Sequence, residues 1–280
     1  TRVDLASLLS RSIDILRNNR ILLAPVLTAQ LLATIPSAVM KLVSISSLAV
    51  TGVTLVISMF LITPFIVAGQ GYMNRQVTLG LRISMGDFVL GGRKYFSKVL
   101  GATIVWMILL FLFGLPVTLL AVALPAKVRS FMQFGQTPGD WVSTLIVAVQ
   151  SSPILLLAMA VTVPFQILTV AWQQAVIVEE VGVLESFAQC FGFVKRNILT
   201  VLGYLGLRVL VDVLVGGPTT LFDLAYGAGA SPSSLPTQTL LTSAGLWLLT
   251  FVANVLAATF FTLLLFGVYM DRRRAPPTAI

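Results

Sequence analysis

The chain has no histidine, one cysteine and few charges. Without histidine there is no Ser–His or Cys–His nucleophile pair, no histidine-held haem and no imidazole metal site. A single cysteine, Cys190, rules out an intrachain disulfide and a thiolate cluster. Charged residues make up only 10% of the 280 residues, where soluble domains carry about 25%. That shortage excludes a disordered chain and an ordinary soluble fold, because 57% of the residues are hydrophobic. Mean hydropathy is +0.98. The composition is that of a polytopic membrane protein, and it names no reaction.

A spanning helix needs roughly 20 apolar residues. Charge-free stretches run 21–40, 42–74, 99–126, 141–178 and 224–270. A sixth apolar segment, 197–216, is interrupted only by Arg208 and Asp212. The expectation is an all-α membrane bundle of six spans, forming one domain over 1–280. The first stretch reads as a span, not a signal peptide, because no small-residue cleavage site followed by a soluble domain succeeds it.

The net charge is +8, from 18 Lys+Arg against 10 Asp+Glu. Most cations collect in alternate connectors. They are Arg11, Arg17 and Arg20; Arg93, Lys94 and Lys98; Lys195 and Arg196; and Arg272, Arg273 and Arg274. The other connectors hold only Lys41, Lys127 and Arg129. By the positive-inside rule both termini are expected in the cytoplasm of a multi-pass cell-membrane protein. The basic residues then face anionic headgroups, which makes membrane lipids the expected partner and leaves no case for nucleic acid. Other membrane subunits or self-association are further candidates.

Three points of the chain resemble one another. They are Gly71-Tyr72-Met73-Asn74-Arg75, Ala171-Trp172-Gln173-Gln174 and Val268-Tyr269-Met270-Asp271-Arg272. Thr63-Pro64-Phe65 and Val163-Pro164-Phe165 also recur. Each hairpin follows a short segment with an acid early and bases late, an order that suits a helix dipole. The pattern predicts three units, about 4–72, 85–174 and 184–271, each a short interfacial amphipathic helix followed by a transmembrane hairpin. The apolar faces are expected at Leu5, Leu8, Leu9, Ile13 and Leu16, and at Leu184, Phe187, Ala188, Phe191 and Val194. Gly91 and Gly92 are expected to weaken the middle copy. Ser84 with Asp87 three residues on is an expected helix cap.

Residues 175–182 (Ala-Val-Ile-Val-Glu-Glu-Val-Gly), Leu184-Glu185-Ser186-Phe187, Phe193-Val194-Lys195-Arg196-Asn197 and Leu202-Gly203 carry a resemblance. So does Arg11–Arg20, with Asn18 and Asn19 before an apolar run. These segments resemble the six-span membrane domain of glycerophosphoryl diester phosphodiesterase and its stand-alone relatives. In the fused proteins a separate soluble barrel performs hydrolysis, and this chain has no room for one. The resemblance therefore implies a module that anchors, organises or delivers near lipid, with no catalytic residue to carry over.

The sharpest polar feature is Thr200–Tyr204–Arg208–Asp212, spaced at helical intervals. Arg208 lies about 16 Å into its span, where a charge costs about 2.5–3.5 kcal/mol. The stripe is expected to face protein or water, either as a polar path or as a structural ion pair. Glu179 and Glu180 have no third ligand in sequence, so contact with an arginine or a helix N-terminus is expected before acid–base or metal work. No catalytic dyad, metal-ligand set or cofactor motif is visible. The favoured function is a non-catalytic scaffold, anchor or lipid-organising subunit. A permease using the polar stripe is the alternative, and an intramembrane lipid-acting enzyme the third reading.

Overall fold

The structure, a computed structural model, describes residues 5–32, 56–122, 163–226 and 237–273. Every regular element among them is helical. In chain order they are α1 (Leu5–Asn18), α2 (Arg20–Leu32), α3 (Thr63–Thr78), α4 (Met85–Val122), α5 (Val163–Val178), α6 (Val183–Arg196), α7 (Ile198–Tyr226) and α8 (Thr237–Arg273). Three stretches are long and apolar enough to cross a membrane: Met85–Leu112, Ile198–Thr219 and Leu241–Arg272. They mark a membrane protein. Arg20–Leu32 and Val163–Val178 are shorter apolar helices. Lys41, Lys127, Arg129 and Arg274 fall outside the described residues.

Two short helices end alike. Asn19 follows α1 and Asn197 follows α6, both at φ −128°. Each amide Nδ2 donates 3.0 Å back to a carbonyl one turn earlier, Ile15 and Phe193 respectively. The same two carbonyls also accept the asparagine's own backbone N–H, at 2.9 and 3.0 Å, so each asparagine closes the last turn twice. The middle copy departs from the expected unit. Its short segment is continuous with its span, giving one helix of 38 residues. Gly91 and Gly92 do not interrupt α4. A Cβ at Gly91 would run into Tyr72, and one at Gly92 would sit 2.6 Å from the Phe65 ring. Gly69 returns the favour, since a Cβ there would lie 2.6 Å from the Phe88 carbonyl oxygen. The glycines let α3 and α4 approach closely, which outweighs their poor helix propensity.

The start of α4 is capped as its sequence suggests. Asp87 Oδ2 accepts hydrogen bonds from the Ser84 N–H (2.7 Å) and hydroxyl (2.8 Å). Gly80, at φ 81°, ends α3, with Leu81 N–H reaching back to the Gln76 carbonyl. At the other end of α3, the wide turn Ser58–Ile62 takes up the distortion that Pro64 imposes.

The described chain divides into two compact units, with divisions after Trp106, Ile167, Arg208 and Ala253. The unit that holds α1, α2, α3 and α6 contains the core. Leu22, Met73, Val77 and Leu263 form its centre, with Ile15, Leu16, Ile21, Ile83 and Phe88 packed around them. Aromatic residues at equivalent points of the three similar segments each find an aromatic neighbour: Tyr72 with Tyr95 (6.1 Å), Trp172 with Phe187 (6.0 Å) and Tyr269 with Phe193 (4.9 Å). In the other unit, Phe165 is the one buried apolar side chain among the described residues.

The amphipathic faces of the short helices differ from the expected ones. On α1, Leu8 and Ser12 are buried and Ile13 is exposed. On α6 the docked face is Ser186, Cys190, Phe193 and Val194, while Leu184, Ala188 and Phe191 point outward. The apolar face read from the sequence is therefore two faces. Small and polar Ser186 and Cys190 lie against the protein, and large apolar residues lie outside. That inversion suits a helix with protein on one side and an apolar medium on the other.

Candidate functional site

The densest polar constellation gathers on the C-terminal end of α5. Its centre is Glu180, whose backbone takes the left-handed conformation at φ 55°. Glycine usually fills such a helix-ending position, and another residue there costs about 1–2 kcal/mol. The side chain and carbonyl of Glu180 are both held. Arg75 Nη1 donates to Glu180 Oε1 at 2.7 Å, the Tyr95 hydroxyl donates to the same oxygen at 2.7 Å, and Lys94 Nζ at 3.0 Å. Lys98 Nζ donates to the Glu180 backbone carbonyl. Arg75 Nη1 also reaches the Tyr95 hydroxyl and the Ile177 carbonyl, each at 3.0 Å. Lys94 lies 4.9 Å from the centre of the Tyr95 ring.

The hydrogen bonds from Arg75, then Tyr95, then Lys94 pull the Glu180 carboxyl down to about 2. The neighbouring Glu179 Oε1 accepts from the Tyr269 hydroxyl at 3.3 Å. Two adjacent carboxylates thus tie the end of α5 in opposite directions, one to α3 and α4, the other to α8. This is the arginine contact expected for the pair, with a tyrosine contact beside it. Its chemistry is that of a fastening. The carboxylate is fixed in its ionised form, and Arg75, Lys94, Tyr95 and Lys98 all direct donors to Glu180. Among the described residues no group of three or more metal-ligating side chains occurs.

Cys190 makes a second fastening on the same helix. It is fully buried, and burial pushes its thiol up to about 12. Sγ accepts from the Ala171 N–H at 3.3 Å and donates to the Leu168 carbonyl at 3.2 Å. Those two groups flank the turn that interrupts α5 at 170–171. The thiol therefore satisfies backbone groups that a broken helix leaves without partners. A buried, protonated thiol in this place is not exposed for acylation.

The four residues of the expected stripe are divided by burial. Tyr204 is buried, its hydroxyl donating to the Phe261 carbonyl at 3.3 Å and its ring meeting Phe261 edge-on at 5.8 Å. Thr200 is half-buried, and Arg208 and Asp212 are exposed. All four lie within the apolar stretch Ile198–Thr219. Among the expected surface bases, Arg11, Arg17, Arg20, Arg93, Lys94, Lys195 and Arg196 are exposed, and Lys98 and Arg272 half-buried. Arg11 donates from Nη2 to the Thr78 carbonyl at 3.0 Å, which closes the end of α3.

Sequence reasoning missed Arg75 and Tyr95. Their only signal was position: Arg75 ends one apolar run and Glu180 follows another, so both belong to run ends where buried tyrosines and cations pair. Three amides, Gln70, Asn74 and Gln174, stand apart from these fastenings. All three are buried, yet Gln70 Nε2, both polar atoms of Asn74 and Gln174 Oε1 have no hydrogen-bond partner among the described residues.

The chain belongs to the family described as Domain of unknown function (DUF7847), whose match runs over residues 3–269. No curated protein and no solved structure matches it.

Proposed function

We propose that this protein is a non-catalytic integral membrane module: a scaffold, anchor or lipid-organising subunit of a membrane assembly. In this reading six spans form three units of short interfacial helix plus hairpin, and both termini lie in the cytoplasm. The observation that carries it is the Glu180 cluster. The polar groups most suited to chemistry are spent on holding α3, α4 and α5 to one another. The outward apolar residues of α6, continued by Leu199 and Leu202 on α7, support lipid as the medium around them. The resemblance of residues 175–203 to a membrane domain that accompanies phosphodiester hydrolysis supports a place near lipid.

The test is reconstitution of the purified chain into liposomes. A module of this kind leaves solute permeability at the protein-free level and recovers defined lipids or subunits from native membrane. Protein-dependent solute flux would overturn it. Labelling of Ser130→Cys and Ala275→Cys in intact cells checks the orientation. The two positions should differ in accessibility, and equal labelling would sink the topology.

A permease is the second reading, favoured by Arg208 and Asp212 within an apolar candidate span. Flux that Arg208→Leu abolishes, with the protein still folded, would support it.

A further inference from the structure

Unpaired polar groups inside a fold are rare. Each is destabilising, and more than 90% of buried ones have a partner. Gln70, Asn74 and Gln174 together leave four such atoms. All three side chains are more than nine-tenths buried.

They also belong to one place. Gln70 and Asn74 lie one turn apart on α3, and Gln174 lies one turn before Ile177 on α5. The helices meet between them: a Cβ at Gly71 would strike the Ile177 side chain, and Arg75 donates to the Ile177 carbonyl. The Phe266 ring of α8 closes the same spot, 3.1 Å from that Cβ position. Gly71 has no Cβ, and the Ile177 side chain and the Phe266 ring fill the place where one would stand, so α3 and α5 approach closely beside the three amides.

We propose that Gln70, Asn74 and Gln174 form an internal hydration site that holds about one or two water molecules, at roughly three hydrogen bonds per buried water. The identity of the occupant follows from the donor set. Two amide nitrogens and two amide oxygens stand unpaired. A cation would be repelled by the N–H groups, and an anion by the carbonyl oxygens. Turning an amide over exchanges one kind of group for the other and leaves both present. A molecule that donates and accepts at once satisfies all four, and water is the smallest.

The site is independent of the module reading, because an inert scaffold and a permease can each hold structural water. Its test is hydroxyl-radical labelling by millisecond X-ray radiolysis of the full chain in detergent, which generates radicals from bound water as well as bulk. Met73 and Ile177 are the reporters, both fully buried. Ile177 should be labelled several-fold above Val201, an equally buried aliphatic. Labelling of Met73 and Ile177 should fall several-fold in Asn74→Leu with Gln174→Leu, while exposed Met85 is unchanged.

Ile177 labelled no more than Val201 in the native chain would overturn the proposal, whether or not the variant folds. Thermal unfolding of Asn74→Leu gives a second decision. A hydrated amide predicts a lower midpoint. A higher midpoint would mean a dry, unpaired amide and no water.

Discussion

Helix α8 is apolar from end to end, yet its two halves face different surroundings. In the first half Leu241, Trp247 and Leu249 are 69%, 56% and 67% exposed. In the second half Leu263, Leu264 and Phe266 are exposed by no more than 1%. The same division runs through the molecule. One unit holds the core and the other, among its described residues, turns leucine and valine outward. Hydropathy cannot tell these halves apart, because a helix apolar on every side suits a protein core and a bilayer equally. What marks the packed unit is polar fastenings and a cluster of close glycine contacts between α3, α4 and α5, although Gly182, Gly206 and Gly267 of that unit meet no neighbour among the described residues. Gly69, Gly71, Gly91 and Gly92 all meet neighbours in the packed unit. Gly216, Gly217 and Gly245 in the other unit meet nothing.

The largest expected effect comes from core truncation. Leu264→Ala should cost about 2–5 kcal/mol, while Leu249→Ala should stay within about 0.5 kcal/mol, by thermal unfolding in detergent. Equal losses would erase the distinction between the two halves of α8.

Glycines give the next contrast. Gly69→Ala forces a Cβ against a backbone oxygen and should cost about 1–3 kcal/mol. Gly245→Ala has open space and should stabilise by about 0.5–1 kcal/mol, because alanine has less conformational freedom to lose. A destabilising Gly245→Ala would place an unseen neighbour on that face.

A smaller effect is expected at the α5 break. Cys190→Ala leaves the Ala171 N–H and Leu168 carbonyl unpaired and should cost about 1 kcal/mol, whereas Cys190→Ser keeps a donor and an acceptor. If serine and alanine behave alike, the thiol's hydrogen bonds contribute nothing.

The smallest effect is that of pH. The folded Glu180 carboxyl sits near 2, below its ordinary value of about 4.3. A lowered carboxylate contributes stability that is present above the unfolded value and is lost as pH falls through the folded one. Stability should therefore decline from about pH 4.5 toward pH 2, and Glu180→Gln should flatten that part of the profile. The group is partly exposed, so added salt should shrink the difference. A Glu180→Gln profile that matches the native one would remove Glu180 from the account.

Local features were legible in the sequence. The Ser84–Asp87 cap needs only residues three apart, and the short helices α1 and α6 show in their apolar spacing and in the asparagines that end them. The helix apolar runs show for the same reason. What could not be read depends on a distant partner. Gly91 and Gly92 look like breakers until Tyr72 and Phe65 on α3 are known to fill the space above them. The outward face of α6 was mistaken because the helix carries large apolar residues on both sides, Phe193 and Val194 docked and Leu184 and Phe191 exposed, so its periodicity blurs. Arg75 and Tyr95 were overlooked because their carboxylate lies 105 and 85 residues further along.

That separation has a consequence during synthesis. Arg75, Lys94 and Lys98 emerge from the ribosome 105, 86 and 82 residues before Glu180. At roughly 5–20 residues per second, several seconds pass before their carboxylate exists. Throughout that interval they are positive charges without the carboxylate that later holds them. Only afterwards does Glu180 arrive to bind them. The clasp that ties residue 180 to the earlier part of the chain therefore closes late, and until then the three side chains must find other company.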